Sequence, residues 1–305
     1  MKGFIRYFVA IAIGLSPLTL VSTSGAVQAA VPTCIVSLSP TATETLFAIG
    51  AGSQVQAVDK DANYPKHGLP TKRINALSPN AESIAGICST KNGHSTKPDL
   101  VIISYNANSI AEHLTALGID VVEQDAATSV ATALSQITTL GKLTGHVKKA
   151  DAIAASLQAT ITKDIRSVPA HSSKKLTVYY ELDPTLYSLA SSTFVGALLK
   201  SLGVVNVADA QSSAADAGYP QLSREYLVGA NPKLVFLADT ICCSVNAKNF
   251  AKRSGFSTMS AVKYGHIVGL SDDIASRWGP RLGILMNDLT RGVKSALNDA
   301  RLWKS

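Results

Sequence analysis

Ile35-Val36-Ser37-Leu38-Ser39-Pro40-Thr41-Ala42-Thr43-Glu44 is the stretch from which the fold is read. Ile35 to Leu38 is a short, mostly apolar run of the length expected for a buried strand. Thr41 to Ile49 has helical character and meets Gly50 and Gly52, residues that end helices because they tolerate left-handed backbone. Moving outward, Val55–Val58, Leu100–Ser104 and Ile119–Val122 are further strands, and Asn108–Leu117 is a helix stopped at Gly118. The second half repeats this grammar. Leu176–Tyr180, Val204–Val207, Leu234–Ala238 and His266–Leu270 are strands. Thr193–Leu202 is a helix ending at Gly203, and Pro280–Trp303 is a closing helix with proline in its first turn. Alternating strands and helices predict an α/β fold with parallel sheets covered by helices on both faces.

Between the halves, Gly145–Val168 contains no proline and keeps one apolar rhythm through Val147, Ala150, Ile153, Ala154, Leu157, Ile161 and Ile165. That pattern predicts an amphipathic helix of about 20 residues, roughly 30 Å long. The expected organisation is a leader over 1–29, an N-terminal α/β lobe over 33–141, a linking helix over 142–169 and a C-terminal α/β lobe over 174–305. The lobes share an internal repeat. Pro79-Asn80-Ala81-Glu82-Ser83-Ile84 leads to Lys97-Pro98-Asp99-Leu100-Val101-Ile102. Pro220-Gln221-Leu222-Ser223-Arg224-Glu225-Tyr226-Leu227 leads to Asn231-Pro232-Lys233-Leu234-Val235-Phe236. The first copy is longer by the Gly/Ser/Thr/Asn-rich stretch Gly86–Thr96, which reads as an inserted surface loop.

The amino terminus is read as an export signal. Lys2 and Arg6 precede an apolar run from Phe8 to Val21 interrupted at Pro17, and Val27-Gln28-Ala29 has the small-x-small pattern of a cleavage site after Ala29 or Ala30. Cys34 is the rival, a lipid attachment point, but Pro32 and Thr33 make a poor lipobox. No later stretch approaches the about 18 uninterrupted apolar residues that a spanning helix needs. The formal net charge is +7, two units of it in the leader. The remaining Lys and Arg are scattered, with no run suited to nucleic acid. Cys34, Cys88, Cys242 and Cys243 allow three disulfide connectivities in an oxidising compartment. Pairing within lobes gives Cys34–Cys88 and a vicinal Cys242–Cys243 ring, with a free vicinal pair as the alternative.

Enzyme classes leave no trace. The chain has no G-x-S-x-G, H-E-x-x-H, Walker A or G-x-G-x-x-G motif. Its six histidines (His67, His94, His113, His146, His171, His266) show no ligand spacing, so neither a catalytic residue nor a resident metal or cofactor is expected.

The opening Ile35–Glu44 segment, Asn63-Tyr64-Pro65, Lys97–Ile102, Tyr219-Pro220-Gln221-Leu222-Ser223-Arg224-Glu225 and Ser276-Arg277-Trp278-Gly279-Pro280-Arg281 together resemble the class III periplasmic binding proteins of ABC importers, in the cobalamin/iron-siderophore receptor subgroup. The ordered set spans nearly all of the chain beyond the leader. The resemblance implies two Rossmann-like α/β lobes with mainly parallel sheets, joined by a single long rigid helix, with a bulky macrocyclic or chelate ligand between them. Cobalamin is the first expectation, a ferric siderophore or haem the alternative, and a secreted α/β enzyme a distant one. It implies ligand contacts from Tyr64, Tyr187, Tyr219, Arg277 and Trp278, with Arg277 available to a ligand carboxylate, phosphate or carbonyl. It also implies that exposed Glu82 and Glu225 meet arginines of an ABC permease, and that the protein works outside the cytoplasm as a monomer. One departure stands out: cobalamin receptors carry tryptophans near Ala76 and Ser104, where this chain has small residues.

Overall fold

Ser39 marks the turn from β1 (Ile35–Leu38) into α1 (Pro40–Ile49). Its hydroxyl accepts the Ala42 amide, Pro40 takes a first-turn position where no amide donor is needed, and Gly50 closes the helix at φ +96°. The computed structural model describes residues 30–89, 95–170 and 175–304. The expected leader and its cleavage point, the tip of the Gly86–Thr96 stretch, His94 and His171 lie outside them.

In chain order the first sheet uses β1, β2 (Val55–Asp59) and β3 (Arg73–Ile74), then passes α2 (Ala81–Ala85) and a short antiparallel pair, β4 (Cys88–Ser89) and β5 (Ser95–Thr96). It continues through β6 (Leu100–Ile103), α3 (Ile110–Ala116), β7 (Asp120–Glu123) and α4 (Val130–Leu143). The strand order is β3-β2-β1-β6-β7, all parallel. β1 and β6 are buried along their whole length. That is why they read as near-continuous apolar runs and not as alternating ones. Val36, Leu38, Val101 and Ile103 face one layer of the core, and Ile35, Leu100 and Ile102 the other.

A single long helix, α5 (Val147–Ser167), connects the first sheet to the second. It buries Ala150, Ala154, Leu157 and Ile161 against α4 and α11. Each buried Leu or Ile contributes about 1.5–3 kcal/mol. α4 approaches so closely that a Cβ on Gly141 would stand 2.3 Å from Ala150 Cβ.

The second sheet has the order β11-β10-β8-β9, again all parallel. Its strands are β8 (Thr177–Glu181), β9 (Val205–Asn206), β10 (Leu234–Leu237) and β11 (Ile267–Gly269). The helices around them are α6 (Phe194–Ser201), α7 (Arg224–Ala230), α8 (Ala247–Ala251), α9 (Ser260–Tyr264), α10 (Asp272–Ala275) and α11 (Leu282–Asn298). The closing helix starts two residues later than expected and hands over to a 3-10 turn at Ala300–Trp303. The sequence reading left α4 unassigned and took Gly86–Thr96 for a plain loop. The structure instead pairs Cys88 with Thr96 at its base.

Cys34 is bonded to Cys88, with Cα atoms 6.2 Å apart, and Cys242 to Cys243. The first bridge ties the chain entering β1 to β4, and the Asp99 carboxylate, which accepts from the Thr33 and Cys34 amides, ties it to the start of β6.

Candidate functional site

Both sheets are parallel, so their strands deliver loops to the same kind of edge, the carboxyl end, where crevices form in open α/β sheets. A cavity of about 560 Å³ opens there. Ala126–Thr128, which follow β7, form the side from the first lobe. Leu182 after β8, Ala238 and Cys242 after β10, and residues of α10 and the turn beyond it form most of the rest. The wall is mainly apolar, with Leu189, Phe194, Tyr219 and Trp278 as its large surfaces. This is the usual make-up of a site for a sizeable organic ligand.

Three of the five expected ligand residues meet in this wall: Tyr219, Arg277 and Trp278. Tyr219 is 47% exposed and is held by a turn in which its amide donates to Asp216 O. Trp278 donates Nε1–H to Gln136 Oε1 of α4 at 2.7 Å, which fixes its ring from the opposite lobe. Tyr64 and Tyr187 lie elsewhere. Tyr187 forms an isolated antiparallel bridge with Gln221 and stays half-exposed. Tyr64 stacks under Arg281, whose guanidinium carbon is 4.3 Å from the ring centroid.

Arg277 is not available in the way the sequence suggested. Nη1 donates to Glu44 Oε1 at 2.7 Å and Asn63 Oδ1 at 2.8 Å; Nη2 donates to Asp61 O at 3.0 Å and Asp273 Oδ1 at 2.9 Å. All four of its terminal N–H groups are thus engaged, and the residue is only 9% exposed. Arg281 joins the same carboxylate, with Nε on Glu44 Oε2 at 2.8 Å and Nη2 on Oε1. Asn63 closes the ring by donating to Asp273 Oδ2. Two arginines and two carboxylates therefore form a neutral, largely buried network between α1 and the segment that joins α10 to α11. Glu44 carried no role in the sequence reading. Its signal was there: a single carboxylate on an otherwise uncharged helix, 2% exposed here, requires a buried partner.

Asp272 is the other charged residue in the wall. Its carboxylate accepts from Thr240 Oγ1 and from the amides of Ile241 and Cys242, so it pins the loop that carries the vicinal disulfide. Behind this loop, Glu181 at the end of β8 is fully buried and bonded at both oxygens to Arg253. Asp239 stands beside it with both carboxylate oxygens buried and unpartnered. Burial, and then the charge of Glu181, push its carboxyl up to about 7. Burial also raises the neighbouring Tyr180 phenol.

Glu82 and Glu225 occupy equivalent places. Each is the second residue of a short helix, α2 or α7, begun by a side-chain cap from Asn80 or Ser223, and each is exposed. The repeat seen in the sequence is thus a structural repeat. Among the described residues no three His, Cys, Asp or Glu side chains converge as a metal site, and no helix is long and apolar enough to cross a membrane.

The model of the periplasmic binding protein family matches residues 35–274. The uncharacterized ABC transporter substrate-binding lipoprotein YvrC of Bacillus subtilis is 31% identical over 261 residues, covering 82% of this chain and 76% of its own length. The cobalamin-binding protein of Halobacterium salinarum is 27% identical over 258 residues, covering 82% of this chain and 66% of its own. Among solved structures, a possible iron-binding (periplasmic solute-binding) protein from Staphylococcus epidermidis superimposes with a TM-score of 0.70 at 26% identity, covering 88% of this chain and 99% of its own. The vitamin B12 binding protein BtuF of Vibrio cholerae shares the fold, with a TM-score of 0.71 at 22% identity, 88% of this chain and 99% of its own.

Proposed function

We propose, for a chain that belongs to the periplasmic binding protein family, that it captures a bulky macrocyclic or chelate ligand in the cavity between its lobes and hands it to an ABC importer permease. The observation that carries this reading is the cavity itself. It lies at strand carboxyl ends, is walled by Tyr219, Trp278 and Phe194, and holds Trp278 from across the cleft through Gln136. Aromatic faces bind flat ring systems through area and stacking. Cobalamin is the leading ligand, in line with the relative from Halobacterium salinarum. A ferric chelate is the second reading, favoured by the likeness to the Staphylococcus epidermidis protein.

The proposal has further parts. The protein acts as a monomeric receptor without catalysis or a resident cofactor. Glu82 and Glu225, exposed at matching helix starts, contact the permease. Residues 1–29 direct export. The pairing of Cys34 with Cys88 supports the reading that Cys34 is not a lipid attachment point.

Isothermal titration with cyanocobalamin, cobinamide, haem and a ferric hydroxamate tests the reading. Micromolar or tighter binding of a corrinoid without turnover is expected. Binding of the hydroxamate alone moves the assignment to iron chelates, and binding of none of the four refutes the macrocycle-or-chelate reading.

A further inference from the structure

The cavity wall contains one cation, Arg277, among the described residues. A site meant for an anionic ligand keeps such a group free, because charge-assisted hydrogen bonds to carboxylate or phosphate are its main source of recognition. Here the opposite is built. Every terminal N–H of Arg277 is already donated, to Glu44, Asn63, Asp61 O and Asp273. Arg281, the next cation in the chain, is held on Glu44 as well and covered by Tyr64. The two arginines and the two carboxylates cancel. What remains in the wall is the carboxylate of Asp272, directed at the Ile241 and Cys242 amides of the loop after β10. Of the two helix starts in the wall, that of α6 is capped from within, Thr193 Oγ1 accepting the Gly196 amide, and that of α10 carries Asp272 itself. The groups left for a ligand are neutral. They are the aromatic faces of Tyr219, Trp278 and Phe194 and the hydroxyls of Thr128, Ser192 and Tyr219, which have no partner among the described residues.

Resting on the functional reading above, we propose that Glu44 is a specificity-determining residue: by holding Arg277 and Arg281 it withdraws the cavity's cation from the ligand and sets the site for ring systems bearing neutral amide, ester or hydroxyl groups instead of carboxylates. Glu44 touches no ligand in this scheme. It acts through the two guanidiniums and is a positioning residue for the cavity's charge.

The test compares ligands that share a ring and differ in charge. Haem carries two carboxylates; its dimethyl ester carries none. Dissociation constants for both, and for cyanocobalamin, are measured on the unaltered protein, on Glu44→Gln and on Asp273→Asn. The unaltered protein is expected to bind the ester at least as tightly as the acid. Glu44→Gln releases Arg277 and should move the acid-to-ester affinity ratio toward the acid by about tenfold, the size of one charge-assisted hydrogen bond. A general loosening of the cavity weakens acid and ester alike, so the ratio is insensitive to it. If Glu44→Gln fails to fold, Asp273→Asn serves, since the Asp273 side chain is a quarter exposed and its loss should move the ratio the same way by about threefold. An unaltered protein that prefers the acid, or a ratio unchanged in the folded variants, overturns the inference while leaving the receptor reading intact. Failure of the unaltered protein to bind any of the three rings overturns this inference together with the macrocycle reading.

Discussion

Replacing Tyr219 by alanine isolates the contribution of one aromatic wall. A tyrosine buries about 150–250 Å² when fully covered. Tyr219 is 47% exposed before any ligand arrives, so a ligand closing over it removes about 100 Å² more from water. At about 25 cal/mol per Å² this is worth about 2.5 kcal/mol, or roughly 70-fold in affinity. The loop should survive the change. Its shape is set by backbone bonds, Tyr219 N to Asp216 O, Ser188 N to Pro220 O and Ala190 N to Gly218 O, and by the Asp216 carboxylate accepting the Ser213 and Gly218 amides. Tyr219→Ala is therefore expected to weaken ligand binding about 30- to 100-fold with an unchanged melting temperature in the absence of ligand. Tyr219→Phe keeps the area and should lose no more than about fivefold, the size of one neutral hydrogen bond. Titration calorimetry with the tightest ligand found decides. A loss below about threefold in the folded alanine variant would refute the role of this face, and an equal loss in Ala and Phe would shift the explanation from area to the hydroxyl.

Four further outcomes are expected. Removing the Cys34–Cys88 bridge with Cys34→Ser/Cys88→Ser opens a loop of sequence separation 54, which the chain-entropy relation values at about 4 kcal/mol; urea unfolding that shows less than about 1 kcal/mol lost contradicts it. Asp239 binds its proton more tightly folded (about 7) than unfolded (near 3.8), so its contribution is fully present at acid pH and is lost as pH rises through about 7. The slope cannot exceed about 1.4 kcal/mol per pH unit, and Asp239→Asn should flatten the fall in denaturation midpoint between about pH 4 and pH 7; an unchanged pH profile in the variant removes Asp239 from the account. Glu82→Lys/Glu225→Lys should abolish uptake in cells carrying the cognate permease while ligand affinity stays within about twofold, since exposed rim charges act on association; intact uptake excludes docking, and lost ligand binding reassigns both residues. Opening the cleft would separate the buried Glu44–Arg277 pair that joins the lobes and would bend α5. Small-angle scattering should accordingly show the radius of gyration changing by less than about 1 Å on ligand binding, and a larger contraction would refute a fixed interlobe geometry.

Which features the sequence disclosed follows from how each one is buried. β1, β6 and β10 are covered on both faces, so β6 and β10 appear as unbroken apolar runs and β1 as one interrupted only by Ser37. α5 is covered on one stripe, so its period of 3.6 is visible. α4 failed this test for a physical reason: its buried positions include the small Ala133 and Gly141, and Ser135, Thr138 and Thr139 lie between them. A helix packed through small residues against Ala150 has little apolar contrast to display. The cleft was legible to the extent that function sits at strand ends. Of the residues that the family resemblance put at the ligand, Tyr219, Arg277 and Trp278 line the cavity; Tyr64 packs under Arg281 and Tyr187 bridges to Gln221 instead.

The role of Arg277 was the hardest to read, and the difficulty is one of distance. Its principal partner, Glu44, lies 233 positions away, and Asn63 lies 214 away. Sequence places a guanidinium near a cleft; only the fold shows whether acceptors from the other lobe have already claimed its donors. An arginine with free donors selects anions, whereas one saturated by two carboxylates and two carbonyl oxygens joins lobes and leaves the ligand no free cation. The same side chain at the same point of the motif thus supports opposite ligand preferences, and the residue that decides between them is Glu44, on the first helix of the other lobe.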